Sequence, residues 1–205
     1  MKTKTIIVLL ILIFPCLVYS QNIKMNVYGA GAYKIPLGSF RYPDIYPRKG
    51  NANEGAGLNA GYQIQTFDKI YVGIHSGYQK FGPRQQVANY NIYTRAYSIL
   101  LNVSYYFKQK DFRPYAALGF GLSSVVFQVE TEFFEESSAK WAPQSDLCLG
   151  CDMMVTGHTA LFAVLRWSNI WFRNKQFEYK NFYTVSPDFN AAVIGFEVGI
   201  KYWIL

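Results

Sequence analysis

Residues 195–204 read GFEVGIKYWI, and this stretch decides the fold of the chain. Its large apolar residues occupy every second position, at Phe196, Val198, Ile200, Tyr202 and Ile204. Between them stand glycines, charged residues and one tryptophan, at Gly195, Glu197, Gly199, Lys201 and Trp203. Because successive side chains of a strand point to opposite faces, this alternation predicts a β-strand with one apolar face and one mixed face.

Seven further segments of the chain show the same alternation. They lie at about residues 23–28, 58–65, 70–75, 97–105, 116–123, 147–154 and 159–167. The segment 159–167 is apolar on both faces before Arg166, so its register stays open. No helical periodicity follows Ser20. The sequence therefore predicts an all-β domain of eight strands.

The connections between these segments alternate in length. Short ones follow strands two, four and six, at about residues 67–68, 108–113 and 156–158. Long ones follow strands one, three, five and seven, at about residues 34–54, 80–91, 130–144 and 171–188. This arrangement is typical of an antiparallel up-and-down transmembrane β-barrel with short periplasmic turns and long extracellular loops.

Alternation alone does not say which face meets lipid, since a soluble barrel of the lipocalin type places its apolar face inside. Hydrophobic residues make up 51% of the 205 residues, and aromatic residues 18%. The mixed face collects glycines together with charged residues at Lys24, Asp152, Arg166, Glu197 and Lys201. Aromatic residues gather near the strand ends, as interfacial girdles do, at Tyr33, Tyr93, Tyr105, Phe107 and Tyr202. We therefore predict a membrane barrel with the mixed face inside.

The first 20 residues have the pattern of a secretory signal peptide. Lys2 and Lys4 precede an apolar run, and small residues near Ser20 favour cleavage before Gln21. The apolar run is too short for a transmembrane anchor, which needs ~20 residues. We expect residues 21–205 to form the barrel domain. The net charge of +7 comes without a basic cluster interleaved with aromatics, so nucleic-acid binding is not expected.

Three stretches of the sequence carry a family resemblance. They are Arg113–Gly121 (RPYAALGFG), the strand–turn–strand at 150–167 around Thr156-Gly157-His158, and the terminal strand 196–205. Together they resemble the OmpA/OmpX-type eight-stranded outer-membrane barrel family, including the PorT-like proteins of Gram-negative bacteria. The resemblance implies location in the outer membrane, with the lipid and the outer-membrane insertion machinery as partners.

No catalytic or cofactor-binding constellation stands out. Acyl-transfer chemistry needs a nucleophile and a base on the same face, yet His75 and Ser76 are adjacent and face opposite ways in a strand. The other histidine, His158, falls in a predicted turn. Cys148 and Cys151 are three apart in a predicted strand, with Cα atoms ~10 Å apart, so we expect two unrelated thiols. We expect a non-enzymatic protein without cofactor or metal.

The five inward charges admit two interpretations. The interior of an eight-stranded barrel is just wide enough for side chains to fill it, and buried charges there must pair. Lys24, Asp152, Arg166, Glu197 and Lys201 are therefore predicted to form a structural plug. The alternative is a path for protons or ions.

The long loops are the candidate interaction surface, because rigid scaffolds present recognition residues on their connections. Exposed aromatics combined with arginine favour protein interfaces. The candidates are Arg41, Tyr42, Tyr46 and Arg48 in the first loop, and Trp171, Phe172, Arg173 and Phe177 in the fourth. The alternative is that these residues pack together above the barrel. The third loop is acidic, and its glutamates are either solvated or bind a divalent cation.

These observations give three functional hypotheses. The first is a structural or interaction protein, acting through its loops as an accessory subunit of an envelope complex. The second is a lipid-modifying barrel enzyme of the lipid A deacylase or acyltransferase type. The third is a small transport barrel.

Overall fold

A computed structural model describes residues 24–41, 52–83, 91–108, 110–130, 132–133, 135–173, 175–178, 187 and 190–204. The predicted signal peptide lies outside the described residues, as do Tyr42, Tyr46 and Arg48 of the first loop. Within the described ranges, no helix is long and apolar enough to cross a membrane.

Eight strands follow one another along the chain. They are β1 (Met25–Leu37), β2 (Ala52–Phe67), β3 (Ile70–Pro83), β4 (Asn91–Tyr106), β5 (Phe112–Glu130), β6 (Glu135–Met154), β7 (Thr159–Ile170) and β8 (Ala191–Ile204). A short 3₁₀ helix, Gly38–Phe40, follows β1, and its first residue has a φ of 55° that glycine adopts readily.

The strands form a closed barrel in which each strand pairs antiparallel with the next. The barrel closes where β1 pairs with β8, with Gly31 opposite Val198 and Ala32 opposite Glu197. Turns of a few residues join β2 to β3, β4 to β5 and β6 to β7, at the rim where β1 starts and β8 ends. The predicted eight-stranded up-and-down barrel is confirmed.

The outward face of the barrel is apolar and exposed. Leu58, Ile99, Phe120, Leu149 and Ile200 are each more than half exposed. The inward face buries polar groups, among them Asn59, Gln63, Ser98 and Asn102. This arrangement is the reverse of a soluble barrel, whose apolar set lies inside.

The structure also fixes the register of β7. Phe162, Val164 and Arg166 are buried in the interior, and Leu165 and Trp167 are about half exposed on the outside.

The third long connection differs from the prediction. Instead of a loop at about 130–144, β5 and β6 continue as a hairpin, paired from Phe112 opposite Met153 to Glu130 opposite Glu135. The hairpin hydrogen bonds persist beyond the lipid-facing apolar residues, where residues 135–144 of β6 are mostly polar or small and show no aliphatic alternation. Strand periodicity in a membrane barrel therefore reports the lipid-facing part of a strand better than its full length.

Candidate functional site

A four-residue ionic cluster lies in the barrel interior, on the neighbouring strands β6, β7, β8 and β1. Arg166 of β7 donates from Nε to Oε1 of Glu197 at 2.7 Å and from Nη2 to Oε2 at 3.2 Å. Its Nη1 donates to Asp146 Oδ2 at 2.8 Å. Lys34 of β1 completes the cluster, with Nζ 2.9 Å from Glu197 Oε1. All four side chains are buried, so each charge depends on its partners in place of water.

Lys201 forms a second ion pair, nearer the short-turn rim. Its Nζ lies 2.8 Å from both carboxylate oxygens of Asp152 and 2.9 Å from the Tyr106 hydroxyl oxygen. Aromatic rings surround the ammonium group, the nearest being Tyr115 at 4.7 Å and Phe162 at 5.1 Å to the ring centroid. Carboxylate and rings together replace the lost hydration of a buried cation.

An apolar cap closes the other end of the interior, at the long-loop rim. Phe127 of β5 meets Phe172 and Phe177 edge to face, with ring centroids 5.6 and 4.8 Å apart. Phe40 of the 3₁₀ helix packs in the same way against Phe81 at 5.2 Å. The cap continues onto small and branched residues of the strands, including Ala96, Val125, Ala142, Ile170 and Val193.

Two of the predicted loop-surface residues belong to this cap. Phe172 and Phe177 were expected at an exposed interaction surface, and the structure buries both completely. The expectation is wrong for these two, because the segment after β7 turns inward and places its phenylalanines over the barrel mouth. For them the alternative interpretation, packing among themselves above the barrel, describes the structure.

The remaining predicted residues occupy several places. Trp171 and Arg173 are exposed at the long-loop rim, and Arg41 is half-buried, 3.6 Å from Glu54. Lys24 is half-buried just before β1, and its carbonyl accepts a hydrogen bond from the backbone of Gln65. Within the described residues, no salt bridge joins Lys24 to the other four predicted interior charges.

Sequence reasoning missed two members of the ionic cluster, Lys34 and Asp146. Lys34 was assigned to the first long loop, and Asp146 stood at the edge of its predicted strand. A signal was present, because Lys34 continues the even-numbered inward positions of Asn26, Tyr28 and Ala30.

His75, Cys148 and Cys151 take the faces that strand geometry requires. His75 is buried with its Nδ1 2.9 Å from the Tyr28 hydroxyl, while Ser76 is exposed on the other face. Cys148 is buried in the interior and Cys151 is half-buried on the outside, and both are free thiols. In the part of the chain that the structure describes, no group of three His, Cys, Asp or Glu side chains is placed to hold a metal ion.

Side chains thus fill the barrel in three layers: aromatic residues with the Lys201–Asp152 pair, the ionic cluster, and the apolar cap. Two small cavities lie among them, each of about 10 Å³, which is room for about one water molecule. One is lined by Gln63, Asn102 and Lys201, the other by Asn59, Gln79 and Ser168. In the described interior, these cavities are small, lined by polar side chains and separated by paired charges.

The closed antiparallel barrel, apolar outside and polar inside, is the architecture of eight-stranded outer-membrane proteins. Neisserial surface protein A superimposes with a TM-score of 0.54 at 11% identity, covering 88% of this chain and 96% of that one. A major outer membrane protein from Thermus thermophilus gives a TM-score of 0.57 at 10% identity, covering 90% and 100%. OprG from Pseudomonas aeruginosa gives 0.51 at 13% identity, covering 88% and 95%. At these identities the similarity shows the fold.

No protein-family model matches the sequence, and no curated protein does.

Proposed function

We propose that the protein is a non-enzymatic outer-membrane barrel with a structural or interaction role, acting as an accessory subunit of an envelope complex. In this proposal the long-loop rim faces the cell exterior, and membrane lipid and the outer-membrane insertion machinery are its other partners. The OmpA/OmpX-like and PorT-like resemblance of the sequence supports the same assignment.

The observation that carries the proposal is the projecting β5–β6 hairpin. β6 pairs with β5 along its whole length, up to Glu135 opposite Glu130. Its pairing with β7, in contrast, ends at Gln144 opposite Ile170. One further backbone hydrogen bond runs from Trp171 to the Pro143 carbonyl, and among the described residues no residue of β7 pairs with residues 137–142. A free strand edge is a template for pairing with another chain.

The side chains of the hairpin also suit an interface. Phe133 at the tip is 90% exposed, and Trp141 on the outward face is 57% exposed. Exposed aromatics of this size are enriched at interaction surfaces. Phe172 and Phe177 are buried in the cap and cannot belong to an exposed interaction surface. In this proposal, the interaction surface consists of the hairpin together with Trp171 and Arg173.

Site-specific photo-crosslinking in intact cells tests this proposal. A crosslinker is placed at Phe133 or Trp141, and the control position is Phe67, which is 71% exposed at the short-turn rim. We expect one discrete adduct with an envelope protein from the two hairpin positions and none from Phe67. Crosslinks from all three positions alike, or from none, would contradict the proposed hairpin interface.

Two measurements separate this proposal from its alternatives. A reproducible change of lipid A acylation in cells that express the protein, read by mass spectrometry, would favour the lipid-modifying enzyme. Defined channel openings in planar bilayers would favour the transport barrel. We expect neither, because His75 and Ser76 face opposite sides and charged pairs fill the interior.

A further inference from the structure

Two cations stand side by side on the outward face of the barrel, near the long-loop rim. Lys80 of β3 is directly opposite Arg95 of β4 in the antiparallel register. Side chains directly opposite on one sheet face have Cβ atoms about 5 Å apart, and like charges at such positions destabilise the pair. An anion bound beside the two cations would therefore stabilise this arrangement.

The described residues do not supply such an anion at this position. The flanking outward positions in the same row are Ala56 on β2 and Val126 on β5, neither of them charged. Within the described part of the chain, no salt bridge involves Lys80 or Arg95, and the Arg95 Nε is buried without a hydrogen-bond partner. The nearest acid along β2, Glu54, lies 3.6 Å from Arg41.

The outward-facing residues on either side of Lys80 and Arg95 along the strands place these two cations at the level of the lipid headgroups. One row toward the barrel centre, Tyr78 is opposite Tyr97, with ring centroids 4.9 Å apart. Below this tyrosine pair, β4 presents Ile99, Leu101 and Val103 outward. On the other side, the Lys80 Nζ lies 5.7 Å from the centroid of the Tyr93 ring. Tyrosines mark the border between hydrocarbon and headgroups, so the two cations lie just outside the hydrocarbon.

We propose that Lys80 and Arg95 form a binding site for the phosphate group of a membrane lipid. A phosphate offers several acceptor oxygens, so it can accept from the lysine ammonium and the arginine guanidinium together. The acyl chains of the same lipid would lie along Tyr78, Tyr97 and the apolar belt beneath them. We place this lipid in the outer leaflet, and that assignment rests on the orientation given in the proposed function.

Native mass spectrometry of the detergent-purified full barrel tests the site, with diphosphoryl lipid A as the probe. We expect the double variant K80Q/R95Q to weaken lipid binding about tenfold, since hydrogen bonds to charged groups are lost. The control is K108Q/K110Q, which removes the same charge from two exposed lysines at the short-turn rim. Unchanged heat-dependent gel mobility shows that each variant is folded.

Inorganic phosphate added in the same titration distinguishes a lipid site from a general anion site. We expect it to compete only weakly, because the tyrosines and the apolar belt contribute to lipid binding alone. Equal lipid affinity in wild type and K80Q/R95Q, or equal losses in both double variants, would overturn the site. Inorganic phosphate binding as tightly as the lipid would overturn the lipid assignment. Each result is independent of the hairpin crosslinks that test the proposed function.

Discussion

Arg166 of β7 and Glu197 of β8 are diagonal neighbours in the β7–β8 register and form a two-pronged ion pair, with N–O distances of 2.7 and 3.2 Å. Glu197 also accepts from Lys34, and Arg166 also donates to Asp146. The cluster thus holds two positive and two negative charges, all buried. Each of its ion pairs joins neighbouring strands, so the cluster runs along the inner wall from β6 through β7 and β8 to β1. The cluster therefore links four consecutive strands, including the β1–β8 pair that closes the barrel.

The first prediction concerns Glu197. The substitution E197Q leaves Arg166 and Lys34 with Asp146 as the remaining carboxylate of the cluster. An uncompensated buried charge costs ~3–5 kcal/mol, so we expect a loss of this size in the free energy of unfolding. Urea unfolding of the barrel in phosphatidylcholine vesicles, followed by tryptophan fluorescence, measures it.

The matched control is E54Q. Glu54 pairs with Arg41 at 3.6 Å, and both side chains are more than a third exposed to solvent. Exposed pairs contribute less than ~1 kcal/mol. Equal losses for E197Q and E54Q would show that the central cluster does not stabilise the barrel.

The second prediction concerns the coupling between Lys201 and Asp152. K201M leaves the Asp152 carboxylate buried with the Tyr106 hydroxyl as its remaining donor, and D152N leaves the ammonium among aromatic rings. We expect each single variant to lose ~3 kcal/mol or more of unfolding free energy. The double variant K201M/D152N should lose less than the sum by about 2 kcal/mol, because neither charge remains. Additive losses in urea unfolding would refute direct pairing.

Sequence predicted the barrel well because strand alternation is a local property. Residues 195–204 show which side chains share a face without any knowledge of the neighbouring strands, and the same holds for Asp152, Glu197 and Lys201. Alternation fades where a strand leaves the lipid, which is why the paired segment from Glu135 to Gln144 was assigned to a loop.

The contents of the interior were harder to predict. The contact of Lys34 with Glu197 depends on the pairing of β1 with β8 that closes the barrel, and the contact of Phe127 with Phe177 depends on the path of the connection after β7. These contacts join residues far apart in the chain, and period-two patterning carries no information about them. For the same reason, the sequence did not distinguish Phe172, which is buried, from an aromatic residue exposed on a loop.

The third prediction concerns the apolar cap. F172A removes a fully buried ring from the contact with Phe127, and we expect a loss of ~3 kcal/mol or more in the free energy of unfolding. F133A removes a ring that is 90% exposed, so its effect should stay within ~0.5 kcal/mol. Planar-bilayer conductance of F172A should remain at background, because the ionic cluster lies beneath the cap. A large rise in conductance would show that the cap alone seals the barrel.

The last prediction concerns Cys148 and Cys151, the two cysteines of the predicted barrel domain. Cys148 faces the filled interior and is 1% exposed, whereas Cys151 is half-buried on the outward face. In the folded, vesicle-inserted protein we expect N-ethylmaleimide to modify Cys151 and to leave Cys148 unmodified, because access limits the reaction. Variants C148S and C151S assign the label by mass spectrometry, and labelling in urea shows that both thiols react once the barrel unfolds. Since strand geometry points them to opposite faces, they should not pair. Rapid labelling of Cys148 in the folded barrel, or loss of both free thiols before labelling, would contradict the placement of Cys148 in the interior.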